Sequence, residues 1–338
     1  MANNYSGKEW QVVLAKKDQS ASAIGTATNG FVASSNVFFR VSAVNDFDFS
    51  AGFQTAEVQR AGRRAMTDED MISHYGSGTW TWAFDYLVEN ETAIQNLLSL
   101  IYGGATVATA LTIPADPVIT DLSHGKQGAT DTTAEILLLA STVADIADED
   151  KRMHSAILTE LTLACDSGSD GGRLKATGNF MSGYKPVISN SGLTGVTTAT
   201  DYEKSIFDMG TLTIGGTAVT VKSFSVTLSN PAQRVGFQGT AGEADGYTQG
   251  SEFAITGTVT VKYDGATADL LDTWISGAGS SVAILFEEGA SFSISIPSAR
   301  FTGHNIDYAS EGGMFVEIPF KATSGADGAT NLAVIKCT

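Results

Sequence analysis

Val221-Lys222-Ser223-Phe224-Ser225-Val226, followed after a polar glycine-containing loop by Gly257-Thr258-Val259-Thr260-Val261-Lys262-Tyr263, is the stretch that decides the fold. Alternation with a period of two places one set of side chains on each face of a strand, so both segments predict half-buried antiparallel strands. A short helix at Asp269–Ile275, a strand at Ser281–Glu287 and a turn at Glu311-Gly312-Gly313 are expected next. The same series stands earlier in the chain. Val44-Asn45-Asp46-Phe47-Asp48-Phe49 is followed by a polar loop and by Gly78-Thr79-Trp80-Thr81-Trp82-Ala83-Phe84. A helix carrying Leu97, Leu98 and Ile101, a strand at Glu135–Ala140 and the turn Asp170-Gly171-Gly172 complete it. The offset between copies falls from 177 residues at Val44/Val221 to 141 at Gly171/Gly312, because residues 105–131, rich in Ala, Thr, Pro and Gly, have no counterpart. Self-similarity on this scale predicts one architecture built twice.

The expected organisation is an arm at 1–35 with a β-like stretch at Gln11–Ala15, then a first unit at 36–186 carrying the 105–131 insertion. A low-charge linker at 187–210 leads to a second unit at 211–338. Within the first unit, Phe47 and Phe49 fall on one strand face and Asp46 and Asp48 on the other; Trp80, Trp82, Phe84 and Tyr86 oppose Thr79, Thr81 and Asp85. Asn90-Glu91-Thr92 carries helix-starting chemistry, Ile94, Leu97, Leu98 and Ile101 mark a buried side, and Gly103-Gly104 ends the helix. Ser155–Leu163, Phe292–Ile296 and Met314–Phe320 alternate as strands, whereas the acidic run 145–150 with Lys151 and Arg152 suggests a solvated connection. The fold class is therefore mainly β, with two tandem antiparallel β-sandwich or partial-barrel units, each flanked by a short α-helix.

Composition narrows the function. A length of 338 residues accommodates two domains of ~150 residues, and an apolar fraction of 43% argues against disorder throughout. The net charge of -17 is shared: residues 1–186 hold 22 acids against 13 bases, residues 187–338 hold 15 against 7. Two anionic bodies of this kind disfavour direct phosphate binding. Cys165 and Cys337 form no CxxC pair, so a disulfide framework is not expected. The first ten residues lack the apolar centre of a secretory signal and no apolar run approaches the ~20 residues of a membrane span, which points to a product held at first in the cytoplasm.

Chemical motifs are weak. His74, His124, His154 and His304 are scattered and are expected at the surface or an interface. Gly125-Lys126-Gln127 lacks the Ser or Thr of a phosphate loop. Asp166–Gly171 resembles a calcium loop, but Gly168 replaces a ligand and Thr177 stands where a bidentate Glu belongs, so a hairpin turn is the better expectation. There is no Gly-x-Ser-x-Gly elbow, and Trp80 and Trp82 share a strand face suited to core packing rather than to a sugar platform. The sequence predicts no catalysis, no cofactor and no metal.

The ordered series resembles the major tail tube proteins of long-tailed bacteriophages. Val221-Lys222-Ser223-Phe224-Ser225-Val226-Thr227-Leu228-Ser229-Asn230 is similar to that family's opening strand, and Glu252-Phe253-Ala254-Ile255-Thr256-Gly257-Thr258-Val259 to its second long strand. The helix at Asp269–Ile275 and the strand Phe315–Phe320 follow in the family's order. The likeness covers about 210–325 best and repeats more loosely over about 36–186. It implies a structural virion protein that polymerises into stacked rings around a hollow conduit for the genome. Single-domain relatives close a ring with six chains; a chain holding two copies would close with three. The implied partners are further copies of the chain, a tape-measure protein in the tube, and terminator and baseplate or tip proteins at its ends, with DNA passing unbound. The implied location is the virion tail, assembled in the host cytoplasm. Loops 60–76 and 239–251 occupy the family's place for ring stacking. Arg60, Arg63, Arg64, Asp68, Glu69 and Asp70 in the first, with Glu243 and Asp245 in the second, are candidates for that contact or for plain hairpin tips. Asp46, Asp48 and Asp85 are candidates for the lumen or its rim, or for an ordinary solvated strand face. A carbohydrate-binding or adhesive β-sandwich is the rival reading; it requires export.

Overall fold

The computed structural model describes residues 10–18, 37–38, 41–49, 54–55, 71–72, 79–88, 91–102, 109–115, 132–139, 150–188, 211–236, 243–275, 281–288, 291–308, 313–325, 328 and 330–337. The first half holds β1 (Gln11–Asp18), β2 (Val37–Phe38), β3 (Asp48–Phe49), β4 (Gln54–Thr55), β5 (Met71–Ile72), β6 (Trp80–Leu87), α1 (Glu91–Tyr102), β7 (Ala110–Ile113), β8 (Thr132–Leu139), β9 (Lys151–Asp166), β10 (Lys175–Ser182) and β11 (Val187–Ile188). The second holds β12 (Thr211–Ile214), β13 (Thr217–Val219), β14 (Val221–Ser229), β15 (Ala232–Val235), β16 (Gly246–Gln249), β17 (Ala254–Lys262), α2 (Gly265–Ile275), β18 (Val282–Glu288), β19 (Phe292–Phe301), β20 (Asn305–Asp307), β21 (Phe315–Ala322) and β22 (Ala333–Cys337). The chain is mainly β, its described strand pairs are antiparallel, and its sheets do not close into a barrel.

One strand order occurs twice. In the first half the neighbours run β3-β6-β10-β9-β8-β1, and in the second β14-β17-β21-β19-β18-β12. In each half the same bulge bends the ladder into a corner. Ala134 faces Ala156 but Ile136 faces Met153; Val282 faces Ala299 but Ile284 faces Ile296. One extra residue on one strand bends it sharply, and Ser155, at φ 49°, sits in that extra segment. Beyond the corner, β9 pairs with β10 rather than β8.

These matched bulges correct the alignment expected from sequence. Trp80 and Trp82 coincide with Ile255 and Gly257, four residues from the correspondence that matches Gly78 with Gly257. The reason is packing. A Cβ on Gly257 would lie 2.4 Å from the Phe320 ring and 2.4 Å from the Ser225 carbonyl, so this glycine makes room for an aromatic ring. In the first half Trp82 fills that place, packing 5.9 Å from Phe84 and 6.1 Å from Phe180, and Gly178 supplies the space instead. Large and small residues are permuted between the halves while the backbone is kept.

The halves share a continuous core and are tied at several places. β9 pairs with β14 over Ser223↔Asp166 to Ser229↔Glu160, and β7, inside the 105–131 insertion, pairs with β22 through Ala333↔Ile113 to Lys336↔Ala110. The buried Asn230 donates from Nδ2 to the Ile101 carbonyl at 2.9 Å, which satisfies one of the orphan acceptors at the end of α1. Gln95 Nε2 donates to the Cys337 carbonyl at 3.2 Å. Both halves thus cover α1, whose Ala93, Ile94, Leu97, Leu98 and Ile101 are fully buried, whereas α2 buries Leu271 and leaves Ile275 exposed. Three sequence expectations change. Residues 42–47, expected as strand, form none; Asp150 and Arg152 are buried at the start of β9 rather than solvated; and β1 runs past Ala15 to Asp18, pairing with β8 over eight residues.

Candidate functional site

Residues directly opposite in an antiparallel ladder share a face. One such row crosses six strands and both halves: Asp85, Thr177, Thr162, Thr227, Thr256 and Lys321. At the junction of the halves Thr162 Oγ1 and Thr227 Oγ1 are 2.7 Å apart. The core lies on the other side, under Phe224, Val226 and Leu228 of β14 and Leu161 and Leu163 of β9. The solvent side is rich in hydroxyls and mixed in charge, with Lys175, Lys262 and Lys321 standing among Asp85, Glu160, Asp166 and Glu317.

Two of the three lumen candidates reach this face. Asp48 is exposed opposite Thr81, and Asp85 is paired with Lys175 at 2.8 Å. That hydrogen-bonded carboxylate is the main reason the Lys175 pKa is raised above its ordinary value. Asp46 is also exposed, on the far side of buried Phe47, but it lies outside any strand. Its Oδ2 meets Lys151 Nζ at 2.6 Å, at the start of β9, and its Oδ1 accepts from the Phe47 amide at 2.8 Å.

Hairpins project from the same point in each half, β4–β5 between β3 and β6, and β15–β16 between β14 and β17. Arg60, Arg63, Arg64, Asp68, Glu69 and Asp70 lie outside the described residues. The second hairpin is clasped to the first half. Tyr247 donates its hydroxyl hydrogen to the Ser155 carbonyl at 2.8 Å and accepts from the Gly183 amide at 2.9 Å. The Ala244 amide donates to the Gly183 carbonyl at 3.0 Å, and a Cβ on Gly183 would sit 2.5 Å from the Ala244 methyl. Tyr184 packs edge-on to Tyr247, with His154 on its other flank, and Ile157 closes the cluster. Burial raises the pKa of Tyr247, and raises that of Tyr184 to about 12, so both hydroxyls stay neutral; that of Tyr247 is hydrogen-bonded, whereas that of Tyr184 is buried without a partner among the described residues. Of the stacking candidates on this hairpin, Glu243 Oε1 accepts from the Lys185 amide at 3.4 Å, on the clasped side, and Asp245 is exposed. His154, expected at the surface or an interface, is buried here against Tyr184. Only the aromatic residue in an otherwise polar loop hinted at this clasp in the sequence.

Among the described residues, the long sheet has an open edge at each end. One is residues 41–49, held to β6 by the Val41–Tyr86 bridge and the two pairs of β3, with Val44 exposed. The other is β20, whose inner side pairs with β21, followed by Tyr308, 75% exposed. Unpaired strand edges invite another strand. Among the described residues no group of three or more His, Cys, Asp or Glu is placed to hold a metal ion, and no helix is long and apolar enough to cross a membrane. No curated protein matches the chain. A family model described as phage tail tube protein matches residues 10–322.

Proposed function

The chain belongs to the phage tail tube protein family, a structural component of the virion tail, and from that membership we propose that it is a duplicated tube subunit, three copies of which close a pseudo-sixfold ring. Rings stack into a hollow conduit through which the genome leaves. The observation that carries this reading is the junction of β9 with β14. It joins two equivalent strand sets edge to edge into one sheet, with β14 taking in the second half the place that residues 41–49 hold in the first. Repeating the same junction between chains pairs the outer side of β20 with residues 41–49 of the next copy, and a closed circuit removes both edges.

The hydroxyl-rich face faces the lumen in this arrangement, Asp48 and Asp85 among its residues, and a surface of matched charges with a net negative subunit gives DNA phosphates little to hold. Loops 60–76 and 239–251 then meet the neighbouring ring. A tape-measure protein inside, terminator and baseplate or tip proteins at the ends, and assembly in the host cytoplasm complete the proposal, with no catalysis or cofactor required. Electron microscopy of purified, assembled chain tests it: top views are expected to show three chains and six sheet repeats per ring. Six full-length chains per ring, or a chain that stays solitary at high concentration with an initiator present, would overturn it.

A further inference from the structure

We propose that Tyr308 of one chain seats in a cavity beside Val44 of the next and is the aromatic anchor of the chain-to-chain junction; the inference rests on the ring proposed above. The argument is one of register. From the corner bulge onward the two halves correspond with a constant offset, Ala156 to Ala299 and Ala164 to Asp307, so Cys165 corresponds to Tyr308. At the internal junction Cys165 lies opposite Phe224. Phe224 in turn stacks on Phe286, ring centroids 3.9 Å apart.

The first half has smaller residues in both places. Asp48 corresponds to Thr227 and buried Phe47 to buried Val226, so Asn45 stands where Phe224 does; Leu138 stands where Phe286 does. Two rings are replaced by an amide and a leucine, and a cavity of about 210 Å³ is left there, lined by Trp10, Val44, Asn45, Asp46, Leu138 and Lys151. An apolar cavity of ~150 Å³ suffices for benzene. Internally, then, a small residue faces two rings; between chains, a large ring faces the space that two absent rings leave. Exposure of a single aromatic is ordinary by itself. What singles out Tyr308, 75% exposed in the lone chain, is that its register delivers it to this cavity. The Asp46–Lys151 ion pair at the rim offers the phenolic hydroxyl a hydrogen-bond partner.

The test uses assembled full-length chain. Tyr308→Ala is expected to raise the concentration for half-assembly by about tenfold or more. The melting of unassembled protein should not change, because the side chain is exposed there. Tyr308→Phe, which keeps the ring, should assemble close to the parent. Mixed Asn45→Cys and Tyr308→Cys chains should form an oxidant-dependent disulfide that neither forms alone, the native Cys165 and Cys337 being buried. Normal assembly of Tyr308→Ala, or no mixed disulfide, overturns the inference and leaves the ring standing. Failure of the parent chain to assemble overturns both.

Discussion

Residues 41–49 and β14 occupy the same place in two copies of one strand order, yet only β14 is a strand along its whole length. β14 runs from Val221 to Ser229 with β17 on one side and β9 on the other. Among the described residues, 42–47 have only β6 as a strand neighbour and form no ladder, although Phe47 and Val226 are both buried. Alternation does not explain this, because Val-Asn-Asp-Phe-Asp-Phe alternates as cleanly as Val-Lys-Ser-Phe-Ser-Val, although Asn and Asp are the poorer strand formers. The second neighbour does. A strand with one partner gives up backbone entropy for half the hydrogen bonds, and the balance tips only when its other side is paired. On the proposed ring, the first half therefore shows what a junction looks like before it forms, and the second what it looks like after.

That comparison can be broken in several ways. The largest expected effect is in amide hydrogen exchange: in unassembled chain, amides of 223–229 should exchange at least about a thousandfold more slowly than those of 43–46. In assembled tubes the gap should shrink; equal rates in the lone chain would end the comparison. Next, Leu163→Ala should cost about 3 kcal/mol in urea unfolding because Leu163 is fully buried at the junction, whereas Ile306→Ala at the corresponding open place should cost about 1 kcal/mol. Similar losses at both positions would mean that the second neighbour adds nothing. Tyr247→Phe removes the hydroxyl between Ser155 and Gly183 and should lower stability by about 1–3 kcal/mol without changing the fold. A neutral result would make the clasp incidental.

The smallest effect concerns Lys175, whose pKa is raised above the ordinary 10.5 chiefly by its hydrogen bond to Asp85. A group whose folded pKa lies above its unfolded one stabilises the fold in full below the unfolded value and loses that contribution as pH rises through the folded value. Asp85→Asn should therefore soften the fall in stability above pH 10.5 and cost at most about 1 kcal/mol at neutral pH, the pair being partly solvated. Urea titrations at pH 7 and pH 11 check the sign.

Much of the fold could be read in advance, for local reasons. Period-two alternation marked β6, β14, β17 and β21, and Ile94, Leu97, Leu98 and Ile101 marked α1. The start of α2 was missed by four residues. Asp264 Oδ1 accepts from the Thr267 amide at 3.2 Å, an N-terminal cap that the small residues Gly265 and Ala266 disguised. What stayed hidden depends on partners far along the chain. Nothing around Ala110–Ile113 announces that its ladder lies at 333–336, and nothing near Gly183 announces Tyr247. For the site, Asp46, Asp48 and Asp85 all flank buried aromatics as alternation suggested, but the pairing of Asp46 with Lys151, 105 residues away, was not legible.

The pairing of β7 with β22 has a consequence for synthesis. Ile113 leaves the ribosome 220 residues before Ala333, its partner. At ~5–20 residues per second this interval lasts roughly 10–40 s. Throughout it, β7 and the underside of α1 wait for a ladder and a carbonyl that have not yet been translated. A nascent chain is thus most vulnerable to proteolysis and to chaperone capture late in elongation, and the two halves mature together when residues 333–337 emerge rather than one after the other.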